Sequence, residues 1–549
     1  MRRLAPLALV LVAACTSRGG GSCRGEYCGT VVFAAIGQPA SLLPPATDHV
    51  LDRDIYDQIF LKLADIGPGL NTVGDSGFQP QLADRWAWRD SLTLAFHLDP
   101  RARWQDGAPV TAGDVAFTFG AYADSALDAA DRINLARIAS VTAPDSATAV
   151  FRFRQRYPEM FFDAVYYLRI LPAHLLRGLP LAQWRSAAFG RSPVGNGPYR
   201  FVRWDPGQSL ELDADSTYFL GRPHIRRLIW RFASDLSVAV TQVIAGEADA
   251  IEVLVSPANI ERAQKTPHLA LYPYPGSAYF FVLLNLRARR GGGAAPNPIF
   301  GDPVVRRALV AATDRVRMTQ SVFGAAAKVP AVPMPEFWPW LWFPDLAVPP
   351  YDTALADRLL EQRGWRVGKD GVRQRGTQRL AFTLAVPSTS PPRRQYAQLI
   401  QEELRAVGVQ VTLDPMDNVA MEAEVRRGAY DAAMQAWGGN SPVPSSDLAP
   451  MWVEGGGQNY ARYADPQFDR WMREVQAAPS RAAALRAWRA ALGVLAAAAP
   501  AIPLAAPDNI AALDRRITNV HLRPDSYWAY VRDWRIAPDA MIARDRLVH

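Results

Sequence analysis

Between residues 380 and 437 the spacing of apolar side chains changes period repeatedly, and this limits the fold more than any other stretch of the 549-residue chain. Leu380, Phe382, Leu384 and Val386 alternate as in a strand. Tyr396, Leu399, Ile400, Leu404 and Val407 recur at helical spacing up to Gly408, and Val409, Val411 and Leu413 alternate again. A strand, a helix and a strand in that order form a βαβ unit, so the strands lie parallel with a right-handed crossover. A helix over 419–427 and a strand over 430–437 extend the unit. Open α/β sheets hold ligands beyond the carboxyl ends of their strands. The loop Trp437-Gly438-Gly439-Asn440 is therefore the first candidate binding segment.

Elsewhere the pattern is mixed. Leu92, Leu94, Phe96 and Leu98 alternate after a turn at 89–91, with Trp86 and Trp88 on the partner strand of a hairpin. Thr111 and Asp114 read as the cap and first turn of a helix, which gives the hydroxyl a structural role. Residues 199–212 read as another hairpin. The Gly195-Asn-Gly197 before it opens no helix, because Pro198 and a β-like run follow, so a nucleotide-binding fingerprint is rejected. A strand over 225–232 and a helix over 238–245 ending at Gly246 follow. Trp338, Trp340 and Trp342 lie on a proline-rich irregular segment, where such a cluster covers a core or lines a ligand cleft.

The length corresponds to several domains at roughly 150 residues each. With 49% hydrophobic and 21% charged residues, the chain has the composition of a folded globular protein. No apolar run after residue 15 reaches the roughly 20 residues that span a bilayer. The net charge of +7 includes Arg2 and Arg3. The basic residues, nearly all arginine, are spread among acidic ones without the stripe that nucleic acid requires, so nucleic acid is set aside as a partner.

Arg2 and Arg3, the short apolar run 4–12 and the small residues before Cys15 form an export signal over 1–14. Val-Ala-Ala-Cys15 resembles the bacterial lipobox, which makes Cys15 the expected lipidation site. An ordinary secretory signal with a chance Cys is the alternative. Residues 15–29, rich in Gly, Ser and Arg, read as a flexible tether from a lipid anchor, exported to the periplasmic or cell-surface side. Cys23 and Cys28 fall within it, as a local disulfide or as two thiols.

Catalytic signatures are absent. The seven histidines show no i, i+4 pair that would set two imidazoles on one helix face, so no metal site is expected. No nucleophile elbow or phosphate-binding loop occurs, and the cysteines lie outside the body. No catalytic residue and no cofactor is assigned, and the chain reads as a binding protein rather than an enzyme. The alternative is a surface-anchored hydrolase with a carboxylate pair in a large cleft.

An ordered set of short motifs spans about 450 residues. It comprises Pro80-Gln-Leu-Ala-Asp-Arg-Trp86, Phe96-His-Leu98, Trp104-Gln-Asp-Gly-Ala-Pro-Val-Thr-Ala-Gly-Asp-Val115, Gly195-Asn-Gly-Pro-Tyr199 and Tyr218-Phe-Leu-Gly221. Gly246-Glu-Ala-Asp249, Asp302-Pro-Val-Val-Arg306, Asp314-Arg315 and Tyr430-Asp431 before Trp437 complete it. The set resembles extracytoplasmic solute-binding proteins of family 5, the peptide and nickel type that serve ABC importers.

The resemblance implies an α/β two-lobed periplasmic-binding-protein fold, type II-like and of cluster C, with an extra domain inserted in the first lobe. Lobe I would comprise 30–52, 186–276 and 508–549, the extra domain 53–185, and lobe II 277–507, with crossings near Pro275 and Pro507. It implies a monomer that captures a small peptide or peptide-like solute and delivers it to a permease and ATPase complex. In oligopeptide-binding relatives the loop after the matching Trp carries an Asp that pairs with the peptide amine. Here that position is Asn440, which supplies no charge. Asp447 either substitutes for it or is an ordinary exposed loop carboxylate. Gly438 and Gly439 would let backbone approach ligand or simply form a turn. Tyr279 and Phe280 match a region that turns an aromatic toward the cleft, and Tyr279 is the expected one.

Overall fold

The computed structural model describes residues 27–289, 295–343, 345–346, 349–438 and 441–546. Three larger sheets organise them. The first has seven strands in the order Leu269–Tyr274, Asn509–Asp514, Ala250–Ile251, Thr30–Ile36, Arg227–Ala233, Ser209–Ala214 and Tyr199–Asp205. Thr30–Ile36 is buried over six consecutive residues, as expected for a strand covered on both faces. It runs parallel to Arg227–Ala233 and to Ala250–Ile251. On one face, the helices Leu236–Ile244 and Pro257–Gln264 bury Val240, Val243 and Ala263 with Val32 and Ala34 of that strand. On the other, Phe33 packs on Trp230 and Trp528 at 4.8 and 4.6 Å between ring centroids.

The second sheet runs Ala327–Lys328, Ala501–Pro507, Ala278–Leu284, Ala432–Gly438, Ala381–Pro387 and Gln410–Met416. The last three strands are parallel, as the apolar periods indicate. Ala278–Leu284 is antiparallel to both neighbours, which makes the whole sheet mixed. The third sheet is antiparallel: Ala83–Asp90, Thr93–Leu98, Thr148–Phe153 and Ile138–Thr142. Its hairpin at 90–93 and the burial of Leu94, Phe96 and Leu98 follow the alternation in the sequence.

Several of the ordered motifs prove to be local fasteners. The Asp114 carboxylate accepts from the Thr111 N–H (2.8 Å) and hydroxyl (2.9 Å) at the start of helix Ala112–Ala123, and from the Ala173 N–H at 2.9 Å. Asn196 accepts from the Leu61 N–H at 2.8 Å, while Gly195 and Gly197 lie so close to the Ile59 carbonyl that a side chain would collide with it. The packed body starts earlier than composition suggests. Cys28 and Gly29, grouped by composition with the tether, are buried, and the Gly29 carbonyl accepts from the Arg226 and Arg227 N–H groups at 3.2 Å. Cys15 and Cys23 lie outside the described residues.

The first and second sheets are joined twice. Tyr274 leads through 275–277 to Ala278, and Pro507 leads through Asp508 to Asn509. Tyr274 pairs with Asn509 on one side, and Phe280 with Ala505 on the other, so the two crossings lie side by side. A Cβ on Gly276 would sit 2.2 Å from the Pro507 carbonyl oxygen. Among the described residues, hydrogen bonds and ion pairs otherwise stay within 27–274 with 509–546, or within 278–506. The bond from the Asp508 N–H to the Ala326 carbonyl, 2.8 Å, lies at the crossing itself. No described helix is long and apolar enough to cross a membrane.

Candidate functional site

The crossings bring the carboxyl edges of both sheets together. Ala250–Ile251, Leu269–Tyr274 and Thr30–Ile36 end on one side, and Ala432–Gly438 ends on the other. This is where ligands of open α/β sheets lie.

On the side of the second sheet, Trp437 is half-buried and pairs with Tyr279, and Gly438 is exposed and pairs with Ala278. Trp338, almost fully buried, donates its indole N–H to the Ser441 carbonyl at 3.2 Å, so the tryptophan-rich segment props the chain just beyond this strand. Gly439 and Asn440 lie outside the described residues. Ser441 leads into helix Pro444–Trp452, and its hydroxyl accepts from the Val443 N–H at 3.1 Å.

Asp447 stands in the first turn of that helix and is only partly exposed. The reading of it as an exposed loop carboxylate is therefore corrected: it lies on a helix, and its Oδ2 is enclosed without any hydrogen-bond donor. Burial pushes its pKa up to about 7, against the pull of a backbone hydrogen bond from Ser441. Enclosed carboxylate oxygens normally find donors.

Tyr279 is fully buried, not turned to open space as expected. Its hydroxyl donates to the Met451 thioether at 3.0 Å, and its ring stacks on Phe281 at 5.6 Å. Burial and the nearby Asp447 charge push its pKa up, so the phenol stays neutral beside Asp447. Phe280 points to the other face, half-buried, with its ring 5.1 Å from Phe323.

On the side of the first sheet lie charged groups that no sequence pattern marks. Asp54, on helix Val50–Ile59, is 4% exposed, and its Oδ1 has no partner. Burial raises its pKa well above the carboxylate range; Arg53 opposes the shift and Glu252 reinforces it. Glu252 directly follows Ala250–Ile251 and is itself raised by burial. Tyr274 donates its hydroxyl to the Glu252 carbonyl at 3.0 Å, and its ring meets Tyr527 edge-on at 5.8 Å. Carboxylates on different elements carry no spacing signal, which is why the sequence hides them. Among the described residues, no group of three or more His, Cys, Asp or Glu is placed to hold a metal ion.

Two α/β bodies joined by paired crossings, with under-satisfied polar groups at the facing edges, define a two-lobed solute receptor. Residues 77–459 match the model of bacterial extracellular solute-binding proteins, family 5 Middle, and the chain belongs to that family. It is 23% identical over 519 residues to the oligopeptide-binding protein AppA of Bacillus subtilis, covering 93% of this chain and 92% of the relative. It is 25% identical over 522 residues to the probable ABC transporter periplasmic-binding protein SapA of Escherichia coli, covering 90% of each. The structure of AppA in complex with a nonapeptide aligns over 93% of this chain and 99% of that one, with TM-score 0.63 and 22% identity. The unliganded open form of the murein tripeptide binding protein MppA aligns over 93% and 97%, with TM-score 0.77 and 20% identity. These relatives are binding proteins rather than enzymes, and the hydrolase alternative is not favoured.

Proposed function

We propose that this protein is an exported, lipid-anchored monomer that closes its two lobes on a small peptide or peptide-like solute and passes it to an ABC permease and ATPase complex. The anchor would be Cys15. Residues 30–52, 186–276 and 508–549 would form lobe I, 53–185 the extra domain and 277–507 lobe II. Trp437, Gly438, Gly439, Asn440 and Asp447 would belong to the binding face of lobe II, with Tyr279 buried behind it and Phe280 on the opposite face of the sheet.

One observation carries the reading of the ligand: the enclosed, unpartnered Oδ2 of Asp447 at the facing edge of lobe II. A carboxylate held this way gains a charge-assisted hydrogen bond from an ammonium group, which the neutral Asn440 does not offer. Asp447 takes the peptide's amine in place of residue 440. The confinement of hydrogen bonds to two bodies supports a hinge, since closure then breaks few bonds. Ligand drives closure only through its preference for the closed state.

The test uses peptides that copurify with the protein, identified by mass spectrometry and titrated by calorimetry in free and N-acetylated form. Asp447→Asn is expected to weaken the free-amine form by about 2 kcal/mol, roughly thirtyfold, and to leave the acetylated form unchanged. Equal binding of both forms by the wild type would remove Asp447 from the amine site.

A further inference from the structure

We propose that a cavity at the far edge of the second sheet is an anion site for a phosphate-bearing organic ligand, separate from the cleft. Strand Ala278–Leu284 starts at the cleft edge and runs away from it, so at about 3.3 Å per residue its end lies roughly 20 Å from the cleft. Leu286 and Arg287, just past that end, line a cavity of about 800 Å³.

Arg287, Arg306, Arg307 and Arg462 line this cavity together. Its one lining carboxylate, Asp465, is already engaged: Oδ1 caps helix Pro466–Gln476, accepting from the Gln467 and Phe468 N–H groups at 2.8 and 3.2 Å. Among the described residues, none of the four arginines makes an ion pair, a state that buried Arg315 shares, whereas four other buried arginines are paired. Arg169 binds Asp57 at 2.7 Å, Arg373 binds Asp357 at 2.6 Å, Arg516 binds Asp249 at 2.8 Å and Arg523 binds Asp525 at 2.7 Å. Arg306 is 5% exposed and donates only to carbonyls, at Ala498 (2.8 Å), Ala499 (3.1 Å) and Phe300 (2.7 Å). These contacts orient the guanidinium without an ion pair. Burial lowers its pKa to about 10, opposed by Tyr463 and Asp302 and reinforced by Arg307.

Tyr463 lines the cavity, is 4% exposed, and faces both Arg306 and Asp465. Guanidinium groups without ion pairs suit an oxyanion with several oxygens, and guanidinium forks match phosphate geometry. Half-buried Trp471 and the helix Arg481–Ala498, which presents Ala490 and Val494, add an apolar wall. The wall favours a phosphate carried on an organic group over the bare ion. A soluble phosphate monoester and a phospholipid headgroup share this chemistry.

The experiment is calorimetry on the full chain with phenyl phosphate and, separately, a water-soluble short-chain phosphatidylglycerol. The wild type is expected to bind phenyl phosphate, more weakly as salt rises. The charge-reversal pair Arg287→Glu and Arg307→Glu, on rim side chains, is expected to lose affinity at least about tenfold while melting and peptide binding stay as in the wild type. If that pair melts early, Arg307→Ala replaces it, with an expected loss of several-fold. Tighter binding of the lipid identifies a headgroup as the source, and binding of phenyl phosphate alone identifies a soluble ester. No heat from either probe, or unchanged affinity in the variants, overturns the site.

Discussion

Asp249 and Asp447 are both enclosed aspartates, and their surroundings differ completely. Asp249, from the Gly246-Glu-Ala-Asp249 motif, accepts from the Val32 N–H at 2.8 Å, from Arg516 at 2.8 Å and from Arg544. Arg516 in turn binds Asp545 at 2.7 Å and the Thr30 carbonyl at 2.9 Å, tying the C-terminal segment to the first strand. Asp447 keeps one oxygen enclosed and empty. A carboxylate saturated by its own chain holds the fold together. One left unsaturated at a facing edge is available to a guest.

The largest expected effect tests the saturated side. Asp249→Ala takes the carboxylate from Arg544 and leaves Arg516 with Asp545, and should cost about 3 kcal/mol of stability in a denaturant titration. Ligand affinity of the folded fraction should not change. An effect on affinity without one on stability would reverse the assignment of the two aspartates.

Gly276→Ala acts on the junction between the lobes. Its Cβ would meet the Pro507 carbonyl at 2.2 Å, so the paired crossings must spread apart. Peptide affinity should fall by about tenfold through a poorer closed state, with a smaller change in melting. Normal affinity would mean that closure does not pass through this contact.

The smallest effect is a pH dependence. Asp447 is held near 7 in the fold, against an ordinary value of 3.8. Between those values the folded chain keeps a proton that the unfolded chain releases, so this group lowers the stability of the ligand-free protein as pH rises from about 4 to about 7. An ammonium guest needs the ionised form, so its affinity should rise with pH through about 7 and then level off. Asp447→Asn should flatten both slopes, and calorimetry at several pH values would detect a failure to do so.

Much of this architecture was legible in the sequence because it rests on local periods. The alternation at 380–386 and 409–413 with the helix between them specified two parallel strands, the run at 430–437 a third, and Thr111 with Asp114 a helix start. The antiparallel placement of Ala278–Leu284 beside Ala432–Gly438 was not legible, since pairing across more than 140 residues leaves no local pattern. The site divides in the same way. Trp437 and Gly438 follow from the rule about strand ends. The burial of Tyr279, the enclosure of Asp447 and the nearness of Asp54 to Glu252 depend on which elements pack together. The tryptophans at 338, 340 and 342 were visible as a cluster, but the support that Trp338 gives Ser441 required the fold.

Small-angle X-ray scattering of the wild type, with and without its copurified peptide, tests the hinged capture most directly. A saturable fall in the radius of gyration is expected as the lobes close, with the peptide recovered unaltered. An unchanged radius at saturating peptide would contradict it.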